Sequence, residues 1–277
     1  MNNPLFSVCY KTKKHWLRNL IIVLGLGLFP PLGQAAEYNF VVQPILPPEQ
    51  TKEAFQPLTD YLSQQTGHDI KLITAINFLS YWETMKKNTR YDLILDAAHL
   101  TDYRAKRMAY KILAKRADAV SYTLVTGEGA DILDPEELIG KSIASIGSPS
   151  LGMLRVEEMF PNPLRQPVIV EVNNSVDSIK KVIEGKAIGA MVPTPLVGQY
   201  PELVTITVTE QVPHTAISAS SRVPQDVQNA IRKALLDADK TPEGQAMLEA
   251  INFPSFEAAT PEQYAGYASL LEGIWGY

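Results

Sequence analysis

The sequence has 277 residues, with 25 Lys and Arg, 30 Asp and Glu, and a single cysteine. At 45% hydrophobic and 20% charged, a chain this long buries roughly three-quarters of its unfolded surface. That excludes a disordered, collagen-like or disulfide-stapled protein, and the net charge of −5 argues against a general nucleic-acid binder, which needs a basic footprint against phosphates.

The first 35 residues differ from the rest. Lys11, Lys13, Lys14 and Arg18 form a basic stretch, followed by the apolar run Leu20 to Phe29 and the small-residue stretch Gly33 to Ala36. The run is too short for a comfortable membrane span and has the length used by a signal peptide. With Gly33 and Ala35 at the small-residue positions, cleavage is expected after Ala35; the alternative is an uncleaved anchor. The leader holds four of the 25 basic residues and none of the 30 acidic ones, so the mature chain carries a net charge of −9. It also holds Cys9, the only thiol, which suits export to a bacterial periplasm without oxidative folding.

After the leader, short Val/Ile-rich runs predict strands at Phe40–Leu46, Ile70–Ile76, Tyr91–Leu95, Val120–Thr126, Ser142–Ile146, Val168–Val172, Ile188–Val192, Leu203–Thr209 and Thr215–Ala219. Few of them alternate cleanly, as expected of strands buried on both faces. Helical segments lie between most of them, which is the pattern of an α/β protein with parallel sheets. Helix starts are marked by Asp134-Pro135, Thr241-Pro242 and Thr260-Pro261, each followed by acidic or amide residues. Pro224 opens a helix with an apolar stripe of Val227, Ile231, Ala234 and Leu235. Phe78, Tyr81 and Trp82 have helical spacing and read as core. Nine strands are many for one sheet, so two lobes are expected.

No nucleophile elbow, phosphate-binding loop or His-Glu-x-x-His motif occurs. Three His and no Cys in the mature chain do not assemble a metal shell. No catalytic residue, cofactor or metal is therefore assigned. The binding candidates lie at strand ends, where open α/β sheets take ligands. Ser148 and Ser150 sit in a Gly/Ser/Pro turn that leads into a helix. The turn suits an anion or polar head group, or Ser148 or Ser150 simply caps the helix. Asp96 and His99 follow another strand. Either they meet a ligand, or Asp96 caps the helix and His99 is structural. Both read as strand-end rather than core residues, so alanine there is expected to weaken binding and spare the fold. Thr194 and His214 lie next to later strand ends.

The order of parts resembles the phosphate/phosphite/phosphonate-type branch of the periplasmic solute-binding proteins that serve ABC transporters. The resemblance rests on Pro47-Pro48-Glu49, Phe55 to Leu62, Thr66-Gly67, Tyr91-Asp92-Leu93, Asp134 to Ser142, the turn at Ser148, Ser175 to Gly189, and Val223-Pro224 with Thr241 to Gly244. It implies a type II periplasmic binding protein: two lobes, each a mostly parallel sheet flanked by helices, joined by two hinge strands. Lobe 1 is expected at 36–120 plus 217–277 and lobe 2 at 121–216. A small ligand would close the lobes, and the partner would be an ABC permease or, alternatively, a membrane signalling protein; an exported hydrolase is the third reading. No nucleic acid partner is expected, and the receptor is expected to be a monomer. The sequence departs from the family where a hydroxyl run is replaced by Ser148-Pro149-Ser150-Leu151-Gly152-Met153, and where Asp96-Ala97-Ala98-His99 stands in the first-lobe loop. This leaves the ligand open between a phosphonate-like anion, another oxyanion, and a zwitterion whose cationic end meets Asp96.

Overall fold

The computed structural model describes residues 35–274 and 277. The expected leader features therefore lie outside the described residues. The chain begins with β1 (Glu37–Val42), α1 (Pro48–Thr66), β2 (Asp69–Ile73), α2 (Phe78–Lys87), β3 (Leu93–Asp96), α3 (Ala98–Arg107) and β4 (Lys111–Arg116). Next come β5 (Ala119–Val120), β6 (Tyr122–Gly127), β7 (Ser142–Ile146), α4 (Leu151–Met159), β8 (Val168–Val172), α5 (Ser175–Ile183), β9 (Gly189–Pro193), α6 (Thr194–Val197) and β10 (Leu203–Val208). The chain then runs through β11 (Val212–Pro213), β12 (Ala216–Ala219), α7 (Gln225–Leu236), α8 (Pro242–Ala250), β13 (Phe256–Glu257), α9 (Pro261–Tyr264) and a 3-10 turn at Tyr267–Leu271.

Two main sheets form. The first has the order β13-β4-β12-β3-β1-β2, the second β10-β6-β9-β7-β8. β1 runs parallel to β2 and β3, while β12 enters antiparallel between β3 and β4. In the second sheet β7 is parallel to β8 and β9, and β6 is antiparallel to β9. The first sheet takes residues from both ends of the described chain and the second from its middle. The crossings between them lie at 117–121 and 209–215. They pair as the antiparallel ribbon of β5 with β11, where Val120 faces Val212 and Ala119 faces Pro213.

The weak alternation of the strands has a direct cause. Successive side chains point to opposite faces, and both faces of each sheet are covered. Phe40, Val42, Leu93 and Leu95 pack under α1, α7 and α8 with Leu58, Leu62, Val227, Ile231 and Leu248. Val41 and Ile94 point the other way, onto Phe78, Tyr81, Trp82 and Met85 of α2. In the second sheet Leu124, Ile143 and Met191 face α4, whereas Val125, Ala144, Ala190 and Val192 face α5. Each fully buried Leu or Ile contributes about 1.5–3 kcal/mol.

Local signals set the helix ends. Asn77 caps α2 by accepting from Ser80 N at 2.9 Å, Asn174 caps α5 through Asp177 N at 2.9 Å, and Thr241 caps α8 through Gly244 N at 3.1 Å. Gly67 ends α1 at φ 71°, a conformation that favours glycine. At Asp134-Pro135 the expected helix is only a 3-10 turn, Pro135–Leu138, although its capping box is complete.

The described parts of the two lobes touch along a seam. Ile146 and Leu154, from the side of the second sheet, join the cluster around Tyr103, Ala268 and Leu271. Ala97, from the end of β3, packs with Tyr122, Leu151 and Val212. No helix among the described residues is long and apolar enough to cross a membrane.

Candidate ligand-binding site

The carboxyl ends of β1, β3, β7, β8 and β9 converge on this seam. Each strand delivers a short loop. Gln43 follows β1 and is buried; its backbone N–H donates to Leu95 O at 3.0 Å and its Oε1 accepts from Ala97 N at 3.1 Å. Among the described residues, two polar contacts cross directly between the lobes. Ser175 N, at the start of α5, donates to Ile45 O at 3.0 Å. His99 Nε2 lies 2.9 Å from Pro149 O. Because that partner is a carbonyl, Nε2 is the donor, and Nδ1 has no partner among the described residues.

His99 is fully buried, and burial pushes its pKa down to about 4 against the pull of Pro149 O and Asp96. Its ring is neutral at physiological pH.

Asp96 does not serve as a free acceptor for a ligand. It is also fully buried, and each carboxylate oxygen holds two donors. Oδ1 accepts from Thr101 Oγ1 at 3.1 Å and Arg104 Nη2 at 2.6 Å. Oδ2 accepts from Tyr81 OH and Arg104 Nη1. A carboxylate offers about four lone-pair sites, and all are filled. The zwitterion reading, with a cationic ligand end on Asp96, therefore has no acceptor to rest on. The expectation that alanine at Asp96 or His99 would spare the fold fails as well: both side chains are buried, Asp96 among Tyr81, Thr101 and Arg104 of its own lobe and His99 against Pro149 of the second.

The turn after β7 carries Ser148 and Ser150. Ser150 is the N-cap of α4: its Oγ donates to Ile146 O at 2.7 Å and accepts from Met153 N at 3.2 Å. Replacing it by alanine is expected to lower stability by about 1 kcal/mol. A urea midpoint equal to wild type would contradict the cap. Ser148 is partly exposed and donates to Glu157 Oε1 at 3.3 Å. Two glycines fit the turn into its surroundings. A Cβ at Gly147 would overlap the Glu171 side chain, and one at Gly152 would come within 3.3 Å of the Tyr122 ring. The first turn of α4 thus presents backbone N–H groups at the seam with the partial positive charge of a helix start.

Thr194, after β9, holds its hydroxyl 2.9 Å from Ser121 Oγ and 2.8 Å from Thr123 Oγ1. His214 sits beside the hinge ribbon. Its Nδ1 accepts from Thr215 N at 2.7 Å, its ring packs on Phe253, and burial together with Arg116 lowers its pKa to about 4. The structure thus brings His99 onto the Ser148–Ser150 turn through Pro149 and places Thr194 after the strand next to β7. It commits Asp96 to an ion pair and His214 to the hinge.

Sequence reasoning passed over Gln43, Asn174, Ser175, Arg104 and Arg155. Asn174-Ser175 before an apolar helix was a readable cap signal. Arg155, in the first half of α4, pairs with Glu158 and acts electrostatically on His99. Among the described residues no group of three or more His, Cys, Asp or Glu is placed to hold a metal ion.

A family model described as "ABC transporter, phosphonate, periplasmic substrate-binding protein" matches residues 40–264. No curated protein matches the chain. Among solved structures, PhnD1 from Prochlorococcus marinus in complex with methylphosphonate superposes with a TM-score of 0.75 at 13% identity, covering 86% of this chain and 98% of that one. The binding-protein component of an ABC phosphonate transporter from Pseudomonas aeruginosa gives 0.74 at 16% identity, covering 86% of each chain. A Xanthomonas citri protein bound to ATP gives 0.67 at 13% identity, covering 86% of this chain and 99% of that one. At these identities the likeness establishes a shared fold, the two-lobed α/β fold of type II periplasmic binding proteins.

Proposed function

Because the chain belongs to the phosphonate-type periplasmic substrate-binding proteins of ABC transporters, we propose that it captures a phosphonate-like anion between its lobes and hands it to the permease. The family is one of binding proteins, working with a small-molecule ligand and a membrane permease. The finer reading places the anion's oxygens at the first turn of α4, among the loops after β1, β3, β8 and β9. We read the receptor as a monomer exported by its leader.

The observation that carries this reading is that strand-end loops of the first sheet meet two helix starts of the second lobe, His99 after β3 on the turn before α4 and Ile45 after β1 on Ser175 at the start of α5. The mature chain is acidic overall, so its general field repels anions. Attraction has to come from backbone N–H groups held at close range. Hydroxyls contribute less than their number suggests, because Ser150 is occupied in capping. Recognition through N–H donors suits phosphonate oxygens, which accept several hydrogen bonds at once.

A thermal-shift series on residues 36–277 tests it, with methylphosphonate, phosphite, inorganic phosphate, an alkylsulfonate and ATP. The ATP arm covers the nucleotide carried by the Xanthomonas citri protein. A ligand at a hundred times its Kd stabilises by about 2.7 kcal/mol, which raises Tm by about 5–10 °C in a chain of this size. We expect that rise with methylphosphonate and a smaller one with the sulfonate. A rise with the sulfonate or ATP and none with methylphosphonate would overturn the ligand class.

A further inference from the structure

His99 occupies an unusual position for a histidine of a two-lobed receptor. It belongs to the first lobe, at the start of α3, yet the hydrogen bond of its ring goes to Pro149 O in the second. It is fully buried, with Nδ1 unpartnered among the described residues. Separation of the lobes would break the Nε2–H···O bond and let water reach the ring.

We propose that His99 is a positioning residue that couples lobe closure to pH: the closed seam admits its ring only in the neutral form, so acidification opens the cleft and weakens ligand binding. The proposal rests on the reading that ligand binding closes the lobes, and it adds a control to that same site.

The surroundings support it from both sides. From its own lobe, Asp96 at the end of β3 and Arg104 on α3 act electrostatically on the ring; from the second lobe, Arg155 on α4 does so. Asp96 favours a charged ring but is already neutralised by Arg104. Arg104 and Arg155 oppose the charge, and burial opposes it most strongly. In the open form the ring meets water and returns towards the ordinary value of about 6.5. The open state therefore binds more protons than the closed state between about pH 4 and 6.5. Closure is fully favoured above 6.5 and weakens as pH falls through that window, by at most tenfold per unit.

The test compares wild type with His99→Gln, whose amide N–H can reach the same carbonyl but does not titrate. Methylphosphonate affinity is measured for both proteins by calorimetry at pH 7.5 and 5.5. The probe's own titration, and that of His214 at the hinge, are common to both proteins and cancel in the ratio. Wild type should lose about tenfold more affinity than His99→Gln over this interval. Equal losses would overturn the proposal. If neither protein binds methylphosphonate at pH 7.5, it is the ligand reading that fails. The lobe distance is then followed directly between two spin labels, one on each lobe, in a mature chain that has no native cysteine to interfere. A wild-type distance that grows on acidification while His99→Gln stays flat would support the proposal, and parallel curves would overturn it. If His99→Gln fails to fold, His99→Asn takes its place under the same criteria.

Discussion

Asp96→Ala is expected to destabilise the protein by about 3–5 kcal/mol, because it leaves the Arg104 guanidinium buried without its partner. For a chain of this size that lowers Tm by about 6–20 °C. Tyr81 and Thr101 lose the acceptor for their hydroxyls in the same step. The charges, not the space, carry the cost. A double substitution, Asp96→Leu with Arg104→Met, removes both charges and should recover a large part of the loss, since buried ion pairs often give little net stability over well-packed apolar groups. Thermal and urea unfolding of the single and double variants measure this. If Asp96→Ala melted within two degrees of wild type, the ion pair would not be structural, and Asp96 would return as a ligand candidate.

Asp102 carries the second large effect. Its Oδ2 accepts from Gly266 N at 3.0 Å and Ala268 N at 2.9 Å, and Lys106 Nζ lies 2.9 Å away. One carboxylate thus holds the start of the 3-10 turn at 267–271, whose Ala268 and Leu271 pack on Leu154 and Ile146 across the seam. Asp102→Ala strands the buried Ala268 N–H, at a cost of about 1–3 kcal/mol, and leaves the exposed Gly266 N–H to water. It should also release the C-terminal segment to proteases, with new cleavage between residues 264 and 274. Asp102→Asn keeps a carbonyl acceptor and should lose less. Equal stability and equal proteolysis in wild type and Asp102→Ala would show that the segment is held by its apolar contacts alone.

The central strands were readable because both of their faces are buried, which forces continuous apolar runs, whereas the edge strand Val168–Val172 is partly exposed and was legible from its Val/Ile content. Ser142–Ile146 and Val168–Val172 appear with the expected bounds. β4 was not readable. Three of its six residues are Lys111, Lys115 and Arg116, and they are accommodated at its ends, with Lys115 on Glu257 and Arg116 on Asp118. The aromatic trio of α2 is core, as its helical spacing indicates, and the Ser turn stands at a helix start. What escaped was the pairing of polar groups. Arg104 meets Asp96 eight residues later, Tyr81 meets it from fifteen residues earlier, and His99 meets Pro149 from fifty residues away. Such pairs are made by the fold, and no local pattern announces them. Burial at the end of β3 escaped for the same reason: Asp96 is enclosed by residues of α2 and α3, and His99 by a turn of the other lobe.

The ribbon of β5 and β11 has a mechanical consequence. The two crossings between lobes are tied to each other by their own ladder, Val120 to Val212 and Ala119 to Pro213. Two separate tethers would allow the halves to twist, slide and splay independently. A tied pair resists such independent motion and favours bending of both crossings together. In the proposed closure, occupancy of the cleft would then be expressed mainly as one shared bend, which a permease could follow.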